Sequence, residues 1–197
     1  MLAAATCRQT RRKPILNKPH DDPDAVVRFW REAGPERWFR KDTAFDQAFR
    51  ERFLDLHMAA ARRELDHWES SAPGALALLI LLDQFPRNAF RGTGHMYATD
   101  PLARYYTRRL LEAGHDARIE TGMRVFCYLP LSHSESLDDQ RQSVALQRQL
   151  GEPWLYHAED HLRIVERFGR FPHRNALLGR DTTPEEQAFL DEGGFAG

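Results

Sequence analysis

Lysine is nearly absent. Of the 28 Lys and Arg residues only Lys13, Lys18 and Lys41 are lysines, and none follows position 41. That excludes a P-loop lysine or a Schiff-base lysine from the main body of the chain. Codon bias and selection for the planar guanidinium fork both account for such an arginine excess. Cysteine is scarce as well, and Cys7 and Cys127 alone build neither a disulfide framework nor a cysteine cage for zinc. The longest uncharged apolar run, Ala75 to Leu82, has eight residues, against the roughly 18 a membrane-spanning helix needs. No GxxxxGK[ST], HExxH, GxSxG or N-x-[ST] motif occurs. A formal net charge of -1 gives no electrostatic footprint for nucleic acid. No motif requires a cofactor or a metal. The missing secretory signal and the free thiols point to a cytoplasmic protein.

What is present suffices for a real core: 42% of the 197 residues are apolar, the length of one ordinary domain. Residues 1–20 stand apart. Arg8, Arg11, Arg12, Lys13 and Lys18 give them a formal charge of +5 with no acid, which leaves 21–197 at -6 when subtracted from the net -1. Pro14 and Pro19 break any amphipathic helix there, so the segment reads as a disordered basic tail or a misplaced start, with a targeting signal as the alternative.

From Asp21 the pattern is helical, with no period-2 run long enough for a strand. Asp22-Pro23 reads as N-cap and first helical residue, with Val26, Val27, Phe29, Trp30 and Ala33 inward and Gly34 after the end. Phe45, Phe49, Phe53, Leu56 and Ala60 form a stripe that Asp42 or Thr43 can cap. Ala75 to Phe85 is apolar nearly all round and predicts a central buried helix ended by Pro86. Further helices are predicted from Asp100-Pro101 to Gly114, from Thr121 to Leu129, from Ser136 to Leu150, and from Pro153 to Gly169. The last starts at Thr183-Pro184-Glu185-Glu186, a capping box. About eight helices with short connections predict an all-α array of antiparallel pairs over 21–197, a single domain. One internal echo, Phe85-Pro86-Arg87-Asn88 against Phe171-Pro172-His173-Arg174-Asn175, fits that pairing.

Polar residues crowd in three segments. Asp83 and Gln84 end a helix that is otherwise dry, and a buried carboxylate needs a partner. Arg87 or Arg91 can supply it. Alternatively the two arginines face a cleft and grip an anion, while Asp83, Gln84 and Asn88 serve backbone groups in the plainer reading. Between Arg167 and Arg180 five cations or potential cations (Arg167, Arg170, His173, Arg174, Arg180) surround Phe168 and Phe171, and arginines beside aromatics stack as well as pair. Third, His133 with Glu135 two residues on is a candidate acid–base pair or pair of metal ligands, or else Ser134 and Glu135 simply start a helix. His157 and His161, four apart, share a helix face as metal ligands would, or flank the core.

Four strings, GPERWFRKD (34–42), LLDQFPRNAFRGT (81–93), YLPLSHSE (128–135) and RFGRFPHRNALLGR (167–180), resemble the bacterial DUF924 family from about residue 23 onward. Leu131-Ser132 departs from the bulkier pair expected there. The resemblance implies a helical array similar to tetratricopeptide-repeat proteins, and no reaction. Together with the residues it points to a small phosphate- or carboxylate-bearing ligand in a cleft lined by Asp83, Gln84, Arg87, Asn88, Arg91, His133, Arg170, His173, Arg174 and Asn175. The alternatives are an enzyme that uses His133 and Glu135 in that cleft, a scaffold for a protein partner, and a purely structural set of ion pairs.

Overall fold

Asp22 and Asp42 cap the first two long helices as their positions predict. The computed structural model, which describes residues 21–195, has α1 at Pro23–Ala33 with the Asp22 carboxylate accepting from the Asp24 N–H. A short α2, Pro35–Trp38, follows Gly34, whose φ of 70° turns the chain. Asp42 accepts from the N–H groups of Ala44 and Phe45 at the start of α3, Thr43–Ala61. The stripe on α3 is buried at Phe45, Phe49, Phe53 and Ala60. Against it lie Phe29 and Trp30 of α1, with ring centroids 5.2–6.0 Å apart.

The central helix departs from expectation. It starts earlier, as α4 over Ala72–Leu79, and it does not stop at Pro86. Ile80–Gln84 forms a π turn and the chain continues as α5, Phe85–Ala89. The Phe85 N–H reaches back five residues to the Ile80 carbonyl, and Pro86 sits in the first turn of α5, where its missing N–H does no harm. The cost is borne by the carbonyls. Leu81 O, bypassed by Phe85, accepts from His57 Nδ1 at 2.9 Å. Leu82 O, which Pro86 cannot serve, accepts from Thr99 Oγ1 at 2.5 Å. Asp83 O accepts from Arg87 Nη1 at 2.7 Å. Each buried acceptor is satisfied by a side chain rather than left bare.

Beyond it run α6 (Asp100–Glu112), α7 (Thr121–Arg124), α8 (Leu129–Ser132), α9 (Leu137–Gln147), α10 (Trp154–Phe168) and α11 (Pro184–Asp191). The helix expected over 121–129 is broken into α7, a 3-10 turn over Val125–Cys127, and α8, with Pro130 inside the first turn of α8 rather than beyond a helix end. Thr183 and Glu186 make the predicted capping box. Among the described residues every regular element is helical, so the fold is all-α. The main core joins α1, α3, α4, α6 and α8, and a second, smaller cluster gathers Ile164, Val165 and Phe171 under α11. The basic segment 1–20 lies outside the described residues. No described helix is long and apolar enough to cross a membrane.

Candidate functional site

The echo in the sequence is also an echo in space. Phe85 and Phe171 are both fully buried, and the two arginines that follow them converge on Asp100. Arg87 forks onto it, Nη1 to Oδ1 at 2.8 Å and Nη2 to Oδ2 at 3.0 Å. Arg174 Nη1 stands 3.7 Å from Oδ2. The asparagines are equivalent as well: Asn88 donates to Asp46, which also holds Arg91, and Asn175 donates to Glu186, which also holds Arg170. Each FP…RN turn thus places one arginine on Asp100 and one buried asparagine on a helix-start carboxylate.

That arrangement divides the predicted site. Asp83, Gln84, Arg87, His133, His173 and Arg174 come together. Arg91 and Asn88 do not, being spent on Asp46 of α3. Arg170 and Asn175 are spent on Glu186, whose carboxyl the Arg170 bond holds down to about 2. The pairing of His133 with Glu135 is corrected too. Glu135 accepts from the Phe171 N–H at 2.9 Å and from both ends of the Arg180 fork at 2.8 and 3.0 Å. It clamps the loop after α10 and has no hydrogen bond to His133. The shared face of His157 and His161 brings no convergence: His157 is exposed beside Tyr156, and no cluster of three or more potential metal ligands occurs among the described residues.

His133 finds its carboxylate elsewhere. Its Nδ1 lies 2.7 Å from Asp83 Oδ1, the oxygen that Arg87 Nη1 also approaches at 3.2 Å. Asp83 is 1% exposed and takes a further bond from Gln84 at 2.6 Å. Burial opposes its charge, but Arg87 and His133 outweigh that and hold the carboxyl at about 2. An ionised Asp83 fixes the proton of His133 on Nδ1 and leaves Nε2 as a lone-pair acceptor. Burial, then the neighbouring Arg87, pushes the His133 pKa down, so the imidazole is neutral.

Three residues outside the predicted set complete the cluster: Asp100, Tyr97 and His161. Arg174 lies between Tyr97 and Phe171, its guanidinium 4.7 and 4.4 Å from their ring centroids. His161 stands 6.3 Å from His133, centroid to centroid. Burial, then His133, takes His161 down to about 3; burial, then Arg174, takes His173 to about 3. Their Nδ1 atoms are buried without a hydrogen-bond partner, as is Arg174 Nε. The doubled FP…RN turn signals two arginines in want of a carboxylate, but nothing local to either turn identifies it as Asp100.

The depressed histidines set a pH dependence. Below the ordinary pKa of 6.5 the unfolded chain binds protons that the folded chain refuses. Stability is therefore complete above 6.5 and declines as pH falls toward 3, by up to ~1.4 kcal/mol per pH unit for each imidazole. A His161→Asn, His173→Asn double variant should show a flatter decline between pH 6.5 and 5, a range above the window in which Asp83 titrates. Urea unfolding at a series of pH values measures this, and superimposed slopes for the two proteins would refute the assignment.

The model of the bacterial proteins of unknown function DUF924 matches residues 26–194. The chain belongs to the DUF924 family. Among solved structures, the protein of unknown function ATU0120 from Agrobacterium tumefaciens is similar to this DUF924 protein at 56% identity and a TM-score of 0.86, over 87% of this chain and 97% of that one. No curated protein matches it significantly.

Proposed function

We propose that this DUF924 protein binds a small anion, a phosphate or carboxylate, on Arg174 and the neutral imidazoles of His161 and His173. The observation that carries the reading is Arg174 itself. The residue is 6% exposed and its guanidinium has an ion pair of 3.7 Å to Asp100, yet that guanidinium donates no hydrogen bond among the described residues. A buried guanidinium has five donors to satisfy and ordinarily spends them. Arg87 is the contrast, since its nitrogens are committed to Asp83 and Asp100. Burial, then repulsion from Arg87, lowers Arg174 only to about 10, so it remains cationic at neutral pH. The guanidinium packs against two rings, and its planar fork suits bidentate recognition of an oxyanion.

Calorimetric titration and thermal shift of the full chain with inorganic phosphate and succinate test the proposal. An anion at 100 times its dissociation constant adds about 2.7 kcal/mol of stability. Arg174→Gln keeps a planar amide between the rings and removes the charge. It should weaken anion binding at least tenfold while the helical circular dichroism is retained. Silence across both anions, or an Arg174→Gln protein that binds as tightly as the parent, would overturn it.

A further inference from the structure

The cluster has an aromatic cover. After α11 the chain turns at Gly193, φ 84°, and comes back so that the Phe195 ring meets His161 edge-on at 4.6 Å and His173 at 5.1 Å, with Phe171 at 6.4 Å. The turn is built for this. The Gly194 N–H donates to the Phe189 carbonyl at 2.9 Å, and a Cβ on Gly194 would lie 2.5 Å from that oxygen and from the Phe189 ring. Phe195 is only partly buried and packs at the edge of the small cluster, not in the main core. The two imidazoles it meets, His161 and His173, each carry a buried Nδ1 without a hydrogen-bond partner. A phenyl ring against these imidazoles offers neither nitrogen a hydrogen bond.

We propose that Phe195 is a gate that occupies the place of an aryl group, and that the anion bound here is an aryl phosphate or aryl carboxylate whose ring displaces it. This rests on the anion reading above and goes beyond it in naming the ligand class. The anion takes Arg174 and the imidazoles of His161 and His173. The ring takes the edge-on seat against His161 and His173, beside Phe171, a setting that aromatic groups favour. On this proposal a bare oxyanion binds with the gate closed, whereas an aryl anion requires it open. The two glycines let Phe195 swing away without moving α11.

The test compares phenyl phosphate with inorganic phosphate by calorimetry on the full chain and on Phe195→Ala, with Phe195→Leu as the companion that retains apolar cover. In Phe195→Ala the affinity ratio should shift at least tenfold toward phenyl phosphate, because no resident ring has to leave. Phe195→Leu should fall between, and supplies the answer alone if the alanine protein fails to fold. If inorganic phosphate binds and the ratio shifts less, or shifts the other way, the gate is wrong and the anion site stands. If neither compound binds any of the proteins, the anion reading fails and the gate with it.

Discussion

Arg87→Met should cost the protein about 3–5 kcal/mol, the loss expected when a buried ion pair is deprived of one partner. Asp83 and Asp100 are 1% and 5% exposed, and Arg87 serves both together with the Asp83 carbonyl. Burial works against the guanidinium, but the two carboxylates outweigh it and raise its pKa, so the pairing is a net bond in the folded state. Methionine fills much of the volume and strands both acids. For a chain of this length ~1 kcal/mol moves the melting point by about 2–4 °C, so a fall of ~10 °C is expected. Arg174→Gln, which breaks no hydrogen bond, should fall far less. Equilibrium unfolding in urea separates them. A loss below ~1 kcal/mol for Arg87→Met would mean that the acids are solvated or protonated in the folded state.

Phe85→Ala should be comparably severe, ~3–5 kcal/mol, by the transfer and cavity terms of a buried aromatic. Its ring is fully buried, 4.8 Å from His57 and 5.0 Å from Phe49, inside the main core. Phe171 is its counterpart in the echo but lies in the small cluster with Ile164 and Val165, where neighbours can close more of the void. Phe171→Ala should cost less, and it removes one of the two faces that hold Arg174. Equal losses for the two alanine variants, measured by urea unfolding, would contradict the unequal packing of the two turns.

Helix starts were legible because each cap is chemistry within four residues: Asp22, Asp42 and the Thr183–Glu186 box are all where their side chains predict. Pro86 misled because proline stops a helix only when its absent N–H or its ring does harm. A π turn upstream, and Thr99 from a distant segment, remove that harm. Nothing local in Ile80–Gln84 announces the turn. The candidate site was half legible. Burial of Asp83 followed from the apolar run around it, and so did its need for Arg87. The carboxylates that claim Arg91 and Arg170, Asp46 and Glu186, sit at helix starts where an acid already has a local reason to be. That local reason concealed their second role. His133 and Glu135 are neighbours in sequence, but the 3-10 and α8 turns aim the imidazole at Asp83, fifty residues earlier, while Glu135 faces the loop after α10.

The bent segment from Ile80 to Gln84 has one more consequence. A π turn is an α-helix carrying one residue too many. Dropping a residue there would leave an unbroken helix of nearly the same composition and apolar content. Each residue of an α-helix advances about 100° around its axis, so Asp83 would swing off His133 while Leu81 and Leu82 lost the side chains that serve their carbonyls. The direction of that carboxylate is therefore encoded by a count, the number of residues between α4 and Phe85, as much as by the identity of any one of them.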